Sequence, residues 1–119
     1  MEPRQVEEKL QEYYTSTDYV LLPYTPDFTA SSGVLSYAAK FGKPIIATDH
    51  GLIGYKINRY RLGYTYRYDD IKSLRKILIN ISKDRGSQYE LLSNNCSDYA
   101  ANHRIEDHQN CIRAVLNNV

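Results

Sequence analysis

A chain of 119 residues is the size of one domain, residues 1–119, and its 42% hydrophobic and 24% charged residues are those of a globular protein rather than a disordered one. Fifteen Lys and Arg against fourteen Asp and Glu leave a net charge of +1, a balance that predicts neither a nucleic-acid footprint nor a polybasic membrane patch. Two cysteines, Cys96 and Cys111, are too few for a disulfide framework, no apolar run can span a bilayer and no signal peptide is recognisable, so a reducing cytoplasm is the expected setting.

Along the chain, Val6, Leu10, Tyr13 and Tyr14 follow helical spacing over residues 6–14. Tyr19-Val20-Leu21-Leu22 is a continuous apolar run stopped by Pro23, the pattern of a strand buried on both faces. A loop over residues 24–30 leads to Ser31-Ser32-Gly33 and a helix over 34–41, which Gly42 and Pro44 are placed to end. Ile45-Ile46-Ala47-Thr48 predicts a second buried strand, Asp49-His50-Gly51 a turn, and residues 52–60 a short helix. Residues 63–68 alternate and predict a third strand with one more exposed face. Asp69 or Asp70 then caps a helix with the stripe Ile71, Leu74, Ile77, Leu78 and Ile81. A further helix carries Tyr89, Leu92, Cys96, Tyr99, Ala100 and His103, and a last one Ile105, His108, Ile112, Val115 and Leu116. Strands alternating with helices imply an α/β fold with a parallel sheet in right-handed crossover units.

Ligands of open α/β sheets bind beyond the carboxyl ends of the strands. Two loops leave such ends: one holds Tyr24, Thr25, Thr29, Ser31, Ser32 and Gly33, the other Asp49, His50 and Gly51. The first N–H groups of a helix lack partners within it and favour negative charge, and two hydroxyls beside a glycine let a phosphate approach them. Serine at that place is also an ordinary helix cap. His50 can serve a phosphate or a sugar hydroxyl, or be a solvated turn residue. Lys56, Arg59 and Arg61 beyond it can supply positive charge or form a solvated helix face.

The succession Tyr19-Val20-Leu21-Leu22-Pro23-Tyr24, Ser31-Ser32-Gly33-Val34-Leu35 and Ala38-Ala39-Lys40-Phe41-Gly42-Lys43-Pro44-Ile45-Ile46-Ala47-Thr48-Asp49 resembles GT-B glycosyltransferases of the large retaining class, group 1 or family 4-like, over roughly residues 18–81. The resemblance implies a Rossmann-like half domain, with a three-stranded parallel sheet and flanking helices, equivalent to the last part of a C-terminal donor-binding domain. It implies a nucleotide-sugar donor whose diphosphate rests on Ser31, Ser32 and Gly33, with Thr29, Tyr37, His50 and Gly51 toward ribose and sugar. No metal or other cofactor is expected, the catalytic residues are left unassigned, and polysaccharide or surface-glycan assembly is inherited from the family. The chain departs from the pattern: Thr29 and Tyr37 occupy the places of two glutamates, and Tyr55 that of a third. Tyr37 can offer a ribose one hydrogen bond but not a bidentate carboxylate.

The family also has an N-terminal acceptor domain and a sheet ordered 3-2-1-4-5-6, of which the three strands here match the last three. The first strand would then lie on an exposed edge, which predicts a homodimer or another assembly covering it. Nucleic acid is not an expected partner, and a membrane location would come only through the parent enzyme.

Two rival constellations remain. Cys96, His103, His108 and Cys111 can supply a tetrahedral zinc set, but their spacing fits no common pattern and core packing explains them. Asp18 and Asp49 suggest a phospho-receiver, yet Asp18 precedes its strand and lies at the wrong end. The alternatives in function are therefore an enzyme part, inactive alone, and a non-catalytic binding or interaction module of the same fold.

Overall fold

A computed structural model describes residues 3–24 and 33–103. The elements run α1 (Pro3–Thr15), β1 (Val20–Leu22), α2 (Gly33–Lys40), β2 (Ile45–Thr48), α3 (Gly51–Tyr60), β3 (Gly63–Tyr66), α4 (Ile71–Lys83) and α5 (Ser87–Asn102). The strands form one parallel sheet in the order β1-β2-β3, with Val20 beside Ile45 and Ile45 beside Gly63. The α/β class and the flanked three-stranded parallel sheet expected from the sequence are both present. The last helix expected from the sequence, through Ile105 to Leu116, falls outside the described residues.

All four residues of β2 are buried, because it is the central strand and must be covered on both faces. On one face Ile45 and Ala47 join Val20, Leu22, Leu35, Ala38, Ala39, Ile53, Ile57, Leu62, Cys96 and Tyr99 in a single apolar cluster. α1 joins this core through Tyr14, whose ring stacks on Phe41 at 5.5 Å. The opposite face is thinner. There β1 departs from the expected two-sided burial: Val20 and Leu22 are buried, but Leu21 is 47% exposed. β1 is the edge strand, and it bonds inward through Val20, whose N–H donates to the Pro44 carbonyl at 3.0 Å. In a parallel ladder that alternation turns the Leu21 amide and carbonyl outward.

Local chemistry sets the element ends. Gly42 closes α2 as expected, through a Schellman pair: its N–H donates to the Ala39 carbonyl (2.9 Å) and that of Lys43 to Ala38 (3.0 Å). The Ser93 hydroxyl of α5 donates to the Gly42 carbonyl at 2.6 Å and so docks α5 on the end of α2. Of the two candidate caps for α4, Asp70 performs the role, accepting from the Lys72 N–H at 3.2 Å. β3 is shorter than the alternation over 63–68 suggests. Its last bond runs from the Asp49 N–H to the Tyr66 carbonyl (2.9 Å), and beyond it β2 offers no further ladder.

α3 ends on Arg61 in the left-handed region, at φ 54°. Buried Leu62 completes the motif by donating to the Ile57 carbonyl at 3.0 Å. A residue with a Cβ is strained there. Arg61→Gly is therefore expected to raise the unfolding free energy by about 0.5–1 kcal/mol in a urea titration. An equal or lower midpoint at unchanged slope would show that Arg61 is unstrained.

Candidate functional site

In right-handed crossover units the helix after each strand starts at that strand's carboxyl end. α2 and α3 accordingly begin, at Gly33 and Gly51, on the same edge of the sheet. Their roots are tied together: the Thr48 hydroxyl donates to the Tyr24 carbonyl at 2.8 Å. Thr48 is buried, so this bond satisfies a hydroxyl that would otherwise cost about 1–3 kcal/mol. Reading Thr48 only as the end of an apolar run overlooked this role. The signal was available, because a polar residue closing a buried strand needs a partner.

Of the seven residues assigned from the sequence, Thr29, Ser31 and Ser32 lie outside the described residues. Gly33 opens α2 and is partly exposed. His50 occupies the N-cap position of α3 in extended backbone (φ −96°, ψ 161°), and its side chain makes no capping bond. The His50 Nδ1 atom is buried and without a hydrogen-bond partner among the described residues. Gly51 is exposed and open around its Cα. Neither helix carries an acidic residue in its first turn. The edge thus presents two helix N-termini, whose first N–H groups have no partner within the helix and whose dipoles favour an anion, and at α3 the His50 side chain does not cap them.

Gly54, one turn into α3, was missed by sequence reasoning. A Cβ on it would sit 2.6 Å from the carbonyl carbon and oxygen of Asp49. Its bare face lets the Asp49-His50 turn fold back on the helix, which places His50.

Tyr37 sits one turn into α2. Its ring packs against Tyr14 (centroids 5.4 Å apart) and Phe41 (5.6 Å), with the Lys40 ammonium 5.7 Å from its centre. The basic run of α3 does not gather at the edge. Lys56 is buried with its ammonium 5.8 Å from the Tyr99 ring, and Arg59 and Arg61 stand at the far end of the ten-residue helix, roughly 15 Å from its start.

The constellation at the chain's end resolves into packing as far as it is described. The buried Cys96 thiol donates to the Leu62 carbonyl (3.4 Å), with the Lys43 carbonyl at 3.7 Å. Burial pushes its pKa up to about 12, which keeps it a protonated, unreactive thiol at neutral pH. His103 stacks on Tyr99 at 4.3 Å and on Tyr60 edge-on at 4.8 Å, with Nδ1 3.0 Å from the Tyr99 carbonyl. His108 and Cys111 lie outside the described residues. A separate cavity of about 260 Å³ opens at the amino edge of the sheet, between Asp18, Tyr19, Ile81, Asp84, Gly86 and Tyr89. Asp84 is engaged there in capping α5, accepting from the N–H groups of Gln88 (3.3 Å) and Tyr89 (3.0 Å). Desolvation, with Tyr64 and Asp84 nearby, raises the Tyr19 pKa to about 12.

Comparison of the chain with known protein families, curated proteins and solved structures returns no match.

Proposed function

We propose that the carboxyl edge of the sheet is a donor site for a nucleotide sugar. In this reading the diphosphate rests at the start of α2, on Gly33 together with Ser31 and Ser32, which precede it in the sequence, and His50 and Gly51 meet the donor from α3. The observation that carries it is the pairing of two uncharged helix N-termini at one sheet edge, with the unpartnered Nδ1 of His50 beside the second. Main-chain dipoles aimed at a diphosphate stabilise the charge that develops as it leaves, and they do so without reorganising. The sugar would pass to an acceptor held by a separate N-terminal domain, so this chain alone would bind without turning over.

A second reading, a binding module without catalysis, draws support from Tyr37. The position that the resembling enzymes give to a ribose-binding carboxylate is here taken up by ring packing with Tyr14 and Phe41. Backbone amide NMR separates both readings from a third outcome. Titration with a nucleoside diphosphate is expected to move the Gly33 and Gly51 resonances at millimolar ligand, and the corresponding nucleoside to move them little. No movement at either glycine would remove the donor site. Movement without hydrolysis or transfer when the acceptor domain is supplied would favour the binding module.

A further inference from the structure

The near-neutral balance of the whole chain conceals an uneven distribution. α4 runs for 13 residues and carries Lys72, Arg75, Lys76 and Lys83 without one acidic side chain, and Arg85 follows after Asp84. A chain of net charge +1 with four uncompensated cations in one helix is net negative elsewhere. The acidic residues flanking α4 have other engagements: Asp70 caps the helix, Asp69 lies 3.6 Å from Arg67, and Asp84 caps α5.

The apolar stripe of α4 is also incompletely covered. The stripe expected to face the core buries no residue fully. A three-stranded sheet is too narrow to cover it, and the helix lies mainly over β3. Ile71 is 73% exposed, Leu78 49% and Ile79 42%. At helical spacing Ile71, Arg75 and Leu78 follow one another along one flank, with Ile79 beside Arg75 and Lys72. Exposed apolar side chains with Arg75 among them and Lys72, Lys76 and Lys83 along one edge match a helix that lies in a membrane interface, its cations reaching up to the headgroups.

We propose that α4 docks this protein on an anionic lipid surface. Ile71, Leu78 and Ile79 enter the boundary between headgroups and acyl chains, and Lys72, Arg75, Lys76 and Lys83 meet the lipid phosphates, their long stems reaching back from the apolar layer. The occupant is chosen by charge and by chemistry. A second copy joined through the same helix would set four cations against four, which repels. A nucleic acid would satisfy the cations but leave three apolar side chains facing phosphate and water. An anionic bilayer accepts both features together. Attachment is peripheral, for among the described residues no helix is long and apolar enough to cross a membrane.

The test uses the full chain and vesicles of phosphatidylcholine alone or mixed in equal parts with phosphatidylserine, separated by flotation. Binding is expected to the mixed vesicles only and to fall steeply with added salt. Each cation replaced by glutamine, in the series Lys72→Gln, Arg75→Gln, Lys76→Gln and Lys83→Gln, is expected to weaken binding about fivefold. All four side chains are exposed, so circular dichroism should stay unchanged. Ile71→Ser with Leu78→Ser is expected to weaken binding severalfold while leaving its salt dependence in place. Absence of binding to mixed vesicles, or equal binding to both kinds, overturns the proposal. So does binding of a DNA or RNA oligomer that survives Ile71→Ser with Leu78→Ser, or a dimer in light scattering that the same pair dissociates.

Discussion

Gly63→Ala is expected to abolish folding. Gly63 opens β3 directly opposite Ile45, and a Cβ there would overlap the Ile45 carbonyl oxygen and lie 2.7 Å from both its carbonyl carbon and its nitrogen. The obstacle is main chain of the central strand, not the end of a flexible side chain. Ile45 is held from both sides, its own N–H donating to the Leu62 carbonyl at 3.0 Å and its neighbour Pro44 accepting from Val20. Relief requires β3 to separate from β2, which exposes the Ile45 and Leu62 side chains, both fully buried. Overpacking against side chains costs about 1–3 kcal/mol, and main chain yields less readily. Native domains hold only about 5–15 kcal/mol in all, so a loss of several is enough to unfold one. The measurement is far-UV circular dichroism with a urea titration. A cooperative transition within about 1 kcal/mol of the parent would show that the two strands do not approach as described.

Gly54→Ala is the second large effect, and it falls on the candidate site. The added methyl would meet the Asp49 carbonyl at 2.6 Å, and the Asp49-His50 turn must lift off α3 to make room. The expected loss is about 2–3 kcal/mol of stability. More telling, the nucleotide-induced movement of the Gly51 amide should vanish while that of Gly33 persists in part, because α2 is anchored independently through Ser93 and Gly42. Leu52→Ala is the control: the side chain is exposed and on the same helix, so its change should stay within about 0.5 kcal/mol. A Gly54→Ala protein with parental stability and parental Gly51 response would separate the turn from the site.

The elements whose signals are local were legible in the residues. Ile45-Ile46-Ala47-Thr48 reads as a strand covered on both faces, and Gly42 followed by Pro44 as the end of a helix, and both are so. Features that depend on how much sheet is present to cover them were not. Leu21 and the α4 stripe have the composition of buried positions, and they are exposed because among the described residues β1 is the edge and the sheet is three strands wide. Close backbone approaches were equally hidden. Gly54 and Gly63 look like any glycine in a helix or strand, and only coordinates reveal the Asp49 and Ile45 main chain against them. Of the site, the residues at the strand ends were identifiable from topology, whereas the Thr48–Tyr24 bond and the engagement of Tyr37 in an aromatic cluster were not.

The strands lie side by side in the order in which they occur along the chain. Among the described residues no later strand has to insert between two earlier ones, so each can add to a template already in place. α5 is the exception to this outward growth. It returns across 51 residues to bond Ser93 to Gly42, and brings Cys96 into the core beneath Leu62. A nascent chain halted before residue 93 would present the end of α2 and the floor of the core to solvent, which makes the docking of α5 the step that converts a sequentially assembled layer into a closed, cooperative unit.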